Sequence, residues 1–182
     1  MTTRLLPDGT VTVRNAEEAD LPSIQVIYAH HVHHGVATFE EVPPSVDELR
    51  LRRTAVIASD QPYLVAEVEG QVVGYAYASA WKSRPAYRYT VEDSVYVAAG
   101  HVGRGIGSAL LSALIAHCEA GPWRQMLAVI ADTDSPASTA LHSRFGFARV
   151  GTLSAVGFKH GRWVDTVLMQ RSLGSGSGQQ PV

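Results

Sequence analysis

Length, composition and charge exclude several classes of protein. The chain has 182 residues, 46% of them hydrophobic and 18% charged, with a formal net charge of −2. These values are typical of one globular domain with a core of its own. A nucleic-acid partner is not expected, because binding phosphate backbones requires clustered Lys and Arg. No apolar run is long enough to span a membrane and no signal core precedes Thr10, so we expect a soluble, cytoplasmic protein without a membrane partner.

The first half of the chain predicts a strand, two helices and a hairpin. Alternation over residues 11–14 indicates the strand, and the first helix is expected to start at Asp20 and to end at Gly35. Residues 45–48 match a capping box that opens the second helix. This helix is expected to turn three apolar side chains toward the core, namely Leu49, Val56 and Ile57. Residues 63–69 and 71–81 alternate about a Glu69-Gly70 turn, which predicts a hairpin.

The second half predicts strand, helix, strand, helix and two closing strands. A strand over residues 91–97 leads through a glycine-rich loop into a helix whose apolar face carries Leu110, Leu111, Leu114, Ile115 and Cys118. Continuous apolar residues at 126–131 indicate a strand buried on both faces. The next helix is expected to be capped by Asp134 or Ser135 and to end at Gly146. Strands at 147–156 and 163–170 follow, so the class is α/β (α+β), a mixed sheet with helices on both faces.

The glycine loop, defined as residues 102–108, has the composition of an anion-binding site. A helix start offers unpaired N–H groups and partial positive charge, and glycine lets a ligand approach the backbone. Two familiar phosphate motifs fit poorly. A P-loop requires Lys followed by Ser or Thr, where this chain has Ile106-Gly107-Ser108. A dinucleotide fingerprint starting at Gly103 requires Gly or Ala at position 108, which is Ser.

The run V-G-R-G-I-G after a V-Y-V strand resembles the acetyl-CoA-binding motif of the GNAT superfamily of N-acetyltransferases. Gly105 and Gly107 match its two glycines, whereas Val102 stands where that superfamily usually has Gln or Arg. Four more segments resemble the phosphinothricin and methionine sulfoximine acetyltransferase branch: T-F-E at 38–40, P-Y-L-V-A-E-V-E-G at 62–70, W-K-S-R-P-A-Y at 81–87 and G-F-K-H-G-R-W-V-D at 157–165. The resemblance covers roughly residues 11–172.

The resemblance implies a GNAT-like mixed, mostly antiparallel central sheet of about seven strands with about four helices. Chain length predicts a single domain over residues 1–173, and composition predicts a flexible Gly/Ser-rich tail at 174–182. Acetyl-CoA is the implied co-substrate, a small amino-acid-like amine the acceptor, and a homodimer the assembly. The implied cofactor-binding residues are Val95, Tyr96, Val97, Val102, Gly103, Arg104, Gly105, Ile106, Gly107, Ser108 and Ser138. The N–H of Val97 is the implied polariser of the thioester carbonyl, and Ser135 stands where the family usually has Asn.

Glu92 is the first candidate catalytic residue. An aliphatic amine is mostly protonated at neutral pH, so acyl transfer to it requires a base. Side chains alternate along a strand, so Glu92 and Asp93 are expected on opposite faces, with only one of them in the site. The resemblance implies that Glu92 is the base, although spacing alone also permits a solvated carboxylate at the start of a strand.

His142 is the second candidate, because imidazole exchanges protons near neutral pH and Ser138 lies one helical turn before it. The resemblance implies an acid toward the departing thiolate or a partner of Glu92, whereas a lone His in such a helix is otherwise a hydrogen-bonded core residue. For the substrate, Phe39 is the implied pocket wall. The loop with Lys82, Arg84 and Tyr87 suits a carboxylate or phosphinate, the alternative being a solvated basic loop.

The sequence permits alternative interpretations of the histidines near residue 30 and of the function. His30 and His34 are one helical turn apart and could suggest a metal site, but basic side chains at a helix C-terminus explain them better, so no metal is predicted. For function, the alternatives to an amino-acid N-acetyltransferase are a broader amine or peptide N-terminal acetyltransferase and a non-catalytic acyl-CoA-binding sensor.

Overall fold

The computed structural model describes residues 1–6, 9–131 and 136–180. The strands are β1 (Thr2–Leu6), β2 (Gly9–Asn15), β3 (Tyr63–Val68), β4 (Gln71–Ala80), β5 (Thr90–Val97), β6 (Gln125–Ala131), β7 (Ala148–Lys159) and β8 (Arg162–Ser172). The helices are α1 (Leu21–His34), α2 (Val46–Ala58), α3 (Ile106–Ala120) and α4 (Ala137–Arg144). The described strands form one sheet in the order β1-β2-β3-β4-β5-β6-β8-β7, in which β5 and β6 are parallel and the other neighbours antiparallel.

The predicted mixed, mostly antiparallel sheet is confirmed, with one strand more than expected. The additional strand is β1, which pairs with β2 from Thr2↔Val13 to Leu6↔Gly9. Its first side chains are exposed and it lies at the edge of the sheet. An edge strand that buries no face has no alternating apolar pattern to reveal it.

Helices cover both faces of the sheet and enclose two apolar cores. On one face α1 and α2 pack on β3 and β4 through Leu21, Ile24, Leu49 and a set of tyrosines. On the other face α3 buries the predicted row Leu110, Leu111, Leu114, Ile115 and Cys118. None of the described helices is long and apolar enough to cross a lipid bilayer.

One local prediction about the helices was wrong, and another was confirmed in position but not in its capping hydrogen bond. Ile57 does not face the core: it is 44% exposed, because Leu49 and Val56 already define the buried stripe of α2 and Ile57 lies beside it. Asp20 precedes α1 but makes no capping bond, since its carboxylate binds Arg14 and the Glu17 N–H instead.

Other helix starts and turns agree with the sequence. The Ser45 Oγ accepts the predicted bond from the Glu48 N–H at 3.2 Å. The hairpin turn at Glu69-Gly70 is present, with both residues at positive φ. The predicted caps Asp134 and Ser135 lie outside the described residues, and Pro136 directly precedes α4.

The sheet opens between its two parallel strands, and this opening positions the site. Pairing of β5 with β6 runs from Thr90↔Gln125 to Asp93↔Ala128. Beyond that pair β5 continues along β4, whereas β6 continues along β8. We call the resulting gap the sheet opening.

Candidate functional site

A cavity of about 790 Å³ occupies the sheet opening. Its walls are the diverging ends of β5 and β6, the glycine loop, α4 and the loop that follows α1. A volume of this size holds a small organic molecule or part of a cofactor. The predicted residues in its lining are Phe39, Glu92, Val95, Tyr96, Val97, Val102, Gly103, Gly105, Gly107, Ser108, Ser138 and His142.

Both Glu92 and Asp93 line this cavity. The expectation that only one of them could reach the site was therefore wrong. The two side chains point to opposite faces of β5, but residues from both faces of this strand line the cavity where β5 and β6 part. Asp93 was not among the predicted site residues, and no local sequence signal indicated that the sheet would part beside it.

Backbone groups of β5 are directed into the sheet opening. Ala98 N–H donates to the Val73 carbonyl of β4 at 2.9 Å. Because pairing alternates along antiparallel strands, the N–H and C=O groups of Val95 and Val97 point away from β4, toward the side that β6 has left. The Val97 carbonyl accepts a hydrogen bond from His31 Nε2 at 2.9 Å. The Val97 N–H is thus directed at the cavity as a donor.

The glycine loop ends in the N-terminus of α3. Gly103 has φ +80° and Gly105, at the N-cap position, has φ +84°. Only glycine adopts such angles without strain, and they turn the chain sharply into the helix. The N–H groups of the first turn therefore lie at the cavity mouth, where they suit an anion such as a diphosphate. Residues of the loop thus fit the phosphates of a nucleotide cofactor.

Arg144 was missed by the sequence reasoning. This exposed side chain of α4 lines the cavity and donates from Nη2 to Ser108 Oγ at 3.5 Å, which places a cation beside the glycine loop. The two residues are 36 positions apart in the chain, so only the packing of α4 against the start of α3 shows their proximity. His101, also missed, lines the same mouth and contacts Arg104.

His142 is buried, with both ring nitrogens engaged. Nδ1 lies 2.7 Å from the Ser138 carbonyl and Nε2 lies 2.9 Å from Asp93 Oδ2. A carbonyl only accepts hydrogen bonds, so Nδ1 carries a proton, and an ionised Asp93 also requires a donor. Burial by itself lowers the His142 pKa, but the hydrogen bond and charge of Asp93, with the Ser138 carbonyl, raise it overall. The Asp93 carboxyl and the Ser138 carbonyl thus favour the protonated form of the His142 ring.

Glu92 lies on the α1 side of β5. Its pKa is raised, first by burial and then by the negative charge of Asp93, while Lys82 opposes the shift. A raised pKa makes the ionised carboxylate a stronger base. Tyr77, which pairs across the strands with Ser94, completes this side of the cavity.

The wall next to Glu92 is a loop held by the β7–β8 hairpin. Lys159 Nζ donates to the Thr38 carbonyl at 2.7 Å. The Phe39 ring lies against Gly157, where a Cβ would be only 2.3 Å from the ring. The predicted wall residue Phe39 is thus fixed by a glycine more than a hundred residues later in the chain.

Several predicted residues lie outside the cavity lining. Lys82, Arg84 and Tyr87 are exposed on the loop before β5, and Lys82 acts on Glu92 only through its charge. The Ile106 side chain is 2% exposed in the core beneath α3, so only its backbone can face the cavity mouth. Arg104 contacts His101 beside the lining.

The histidines at the end of α1 form no recognisable metal site. The His30 and His34 rings are 4.8 Å apart between centroids. Within the described ranges, no group of three or more His, Cys, Asp or Glu residues is arranged to hold a metal ion.

Comparison with known proteins identifies the family. Residues 13–168 match the model of the acetyltransferase (GNAT) domain. The chain is 53% identical over 170 residues to a phosphinothricin N-acetyltransferase of Alcaligenes faecalis, covering 93% of this chain and 86% of the relative. It is 38% identical to an L-methionine sulfoximine/L-methionine sulfone acetyltransferase of Salmonella typhimurium, covering 90% of this chain and 95% of the relative.

A solved structure gives the same assignment. The crystal structure of a GNAT superfamily phosphinothricin acetyltransferase from Sinorhizobium meliloti, in complex with acetyl-CoA, superposes with a TM-score of 0.92 at 51% identity. The match covers 94% of this chain and 93% of that one. The sheet opening, the glycine loop and these relatives agree, and the chain belongs to the GNAT family as an N-acetyltransferase that uses acetyl-CoA as its co-substrate.

Proposed function

We propose that the protein acetylates the amino group of a small amino-acid-like substrate of the phosphinothricin or methionine sulfoximine type, by direct transfer in a ternary complex. The observation that carries this proposal is the cavity at the sheet opening, which residues from both faces of β5 line. The co-substrate can enter beside α3 and α4 while the amine approaches Glu92 from the α1 side. The names of two relatives, which act on phosphinothricin and on methionine sulfoximine, support the substrate class.

The glycine loop and the edge of β5 are suited to hold and orient acetyl-CoA. The first-turn N–H groups of α3 bind the diphosphate, and Arg144 adds a positive charge beside it. The N–H and C=O groups along the edge of β5 at Val95 and Val97 would hold the amide-containing arm of acetyl-CoA. The Val97 N–H then donates to the thioester oxygen, where negative charge develops during attack. When bound, acetyl-CoA supplies the activated acetyl group.

Glu92 takes the proton of the attacking amine. Its burial and the neighbouring Asp93 raise its pKa, which brings its proton affinity closer to that needed near neutral pH. The catalytic role predicted for His142 remains a prediction. Its two nitrogens already contact Ser138 and Asp93, so neither is available to the amine in this arrangement.

Recognition of an acidic group by Lys82, Arg84 and Tyr87 also remains a prediction. If it is correct, Arg84→Ala raises KM for an acidic amino acid about tenfold but leaves KM for a neutral amine unchanged. Arg88→Ala is a matched control on the same loop, because the Arg88 guanidinium lies over the Tyr89 ring. Equal KM changes for both amines would exclude an oxyanion site on this loop.

Thiol release from acetyl-CoA, measured over a panel of amines, tests the proposed function. We expect the highest kcat/KM for phosphinothricin or methionine sulfoximine, lower values for common amino acids and little release with peptides. A preference for peptides would favour the broader amine or peptide N-terminal acetyltransferase. Release that no amine stimulates would favour the acyl-CoA-binding sensor.

We also propose that the protein is a cytoplasmic homodimer that associates through β7 and β8. β7 lies at the edge of the sheet and its surroundings expose apolar side chains, namely Val150, Leu153, Val156, Phe158 and Trp163. Such a patch on an edge strand is a typical association surface.

Light scattering after size exclusion should give twice the chain mass, and Trp163→Glu should shift the measured mass to that of the monomer. A wild-type monomer would contradict the dimer. The cytoplasm is where acetyl-CoA is available to such an enzyme.

A further inference from the structure

α4 is a short helix that contacts the core through the partly buried Leu141 and through His142. Within its eight residues, all of them described, His142 is the one buried side chain. The helix nevertheless supplies Ser138, Leu141 and Arg144 to the cavity lining. The contacts of His142 therefore contribute, with those of Leu141, to the position of α4 relative to β5.

His142 bridges α4 to β5 through Asp93. The two side chains are only 4% and 2% exposed and are joined at 2.9 Å, while the Phe147 ring packs edge-on at 5.0 Å between centroids. The bond from Nδ1 to the Ser138 carbonyl is internal to α4 and does not hold the helix to the sheet. The hydrogen bond from Nε2 to Asp93 joins α4 to β5 and so holds the helix to the sheet.

The bridge depends on the protonation of the ring. An imidazolium has two N–H groups and can donate to Ser138 and Asp93 together, whereas a neutral ring has one and loses one of these bonds. The helical bond is local and is kept at less entropic cost than the bond between elements. Loss of the proton therefore weakens the contact with the sheet.

We propose that Asp93 is a positioning residue for acetyl-CoA, which acts through His142 to hold α4 against the sheet opening. The inference depends on the proposed function only for the identity of the ligand. It assigns a role to a residue for which the glycine-loop motif provides none, and it predicts that cofactor affinity follows the protonation of His142.

Few other charges act on this pair. From β5, Glu92 lies on the opposite face of the strand and repels Asp93. From α3, Cys118 lies nearby, but its pKa is raised by burial and by Asp93 to about 12, so the thiol stays protonated. β6 presents Ala128 beside Asp93, and β8 presents Thr166 to the cavity, both uncharged. His142 and Asp93 are thus the groups to vary.

The test is acetyl-CoA binding by calorimetry from about pH 6 to about pH 9, with no amine present. We expect wild-type affinity for acetyl-CoA to fall about fivefold as pH rises across this range. The fall is modest because the rest of the site partly compensates for the loss of one charge-assisted hydrogen bond. Asp93→Asn is nearly isosteric, and its amide donates to the neutral ring. Its affinity should be within about threefold of wild type and independent of pH. Asp93→Ala should bind about tenfold more weakly at every pH.

The controls separate this inference from the proposed function. His33→Gln, at an exposed position outside the cavity lining, should keep the wild-type pH dependence. The His142 C2–H signal, followed by NMR in the wild type, should titrate with the same midpoint as the affinity, a comparison that needs no variant. A pH-dependent Asp93→Asn, or a His142 midpoint that differs from that of binding, would overturn the inference. Absence of acetyl-CoA binding by the wild type would instead overturn the proposed function.

Discussion

Two buried aspartates of this protein are arranged in opposite ways. Asp20 has every carboxylate oxygen partnered: Arg14 donates to both oxygens, at 2.7 and 2.9 Å, and the Glu17 N–H adds a third bond at 2.7 Å. Asp93 gives one oxygen to His142, while its Oδ1 has no hydrogen-bond partner among the described residues. Both residues are 7% exposed, so burial does not distinguish them.

The difference shows where stability and function are located. A buried polar group without a partner costs free energy and persists only where something else compensates for it. The Arg14–Asp20 pair closes the junction between β2 and α1 and leaves nothing for a ligand. At the sheet opening, Asp93 Oδ1 has no partner among the described residues, and the Val97 N–H is directed at the cavity. We therefore expect changes near the opening to reduce activity and changes at the closed pair to reduce stability.

The largest effect is expected for Glu92→Gln. Removing the proposed base should lower kcat about a thousandfold near neutral pH. The deficit should shrink as pH rises and free amine becomes available, while the midpoint of thermal unfolding is unchanged. Steady-state kinetics over pH and calorimetry measure the two quantities. Glu69→Gln, at an exposed turn, is the control, and an equal loss of kcat at every pH would show that Glu92 is structural.

Asp20→Ala should reduce stability and leave activity unchanged. Leaving Arg14 without its buried partner should lower the free energy of unfolding by about 3 kcal/mol. At temperatures where the variant is folded, kcat/KM should equal that of the wild type. Denaturant unfolding checks the first value, with Glu67→Gln as a control for the outer partner of Arg14 that costs less than about 1 kcal/mol. A stable variant with reduced activity would show that Asp20 serves activity and not stability.

The Arg14–Asp20 pair also predicts how the free energy of unfolding depends on pH in acid. Burial raises the Asp20 pKa, but the hydrogen bonds from Arg14 and the Glu17 N–H outweigh it, so the pKa is lowered from 3.8. A lowered folded-state pKa gives stability that is complete above the unfolded value and is lost as pH falls through the folded one. Wild type should therefore lose more unfolding free energy than Asp20→Ala as pH falls below about 4.

A smaller effect is expected for His31→Leu. The Val97 carbonyl would lose its donor at the point where the strand meets the cavity, so the Val97 peptide would be less well fixed. We expect kcat/KM for acetyl-CoA to fall about tenfold, with recovery in His31→Gln, whose amide can donate in place of Nε2. Equal activities of the two variants would show that the hydrogen bond to Val97 has no role.

The smallest effect is expected for Gly157→Ala. The new Cβ would overlap the Phe39 ring and move this wall of the cavity. KM for the amine should rise about fivefold with little change in kcat, as expected for altered substrate contacts. Gly151→Ala on the same strand is the matched control, because its Cβ has no neighbour within 4 Å. An unchanged KM in both variants would remove Phe39 from the substrate site.

Local patterns predicted much of the fold. The apolar row of α3, the glycine loop and the Glu69-Gly70 turn were all predicted from spacing, and the resemblance to the GNAT family is confirmed. The predictions failed where packing against other elements determines the position of a residue or strand. β1 is an exposed edge strand without a pattern, and Ile57 is displaced from the buried stripe of its helix.

Glycine spacing, apolar period and strand alternation are local properties, so the sequence by itself determined the order of elements from β2 onward and the place of Glu92 on its strand. The segments that resemble known acetyltransferases indicated the family. The tertiary structure decided which distant groups meet. Parting of β5 from β6 admits Asp93 to the cavity, α4 brings His142 to it and Arg144 to the glycine loop, and the β7–β8 hairpin fixes Phe39. These contacts depend on how strands diverge and helices pack across tens of residues, and no short-range periodicity records them.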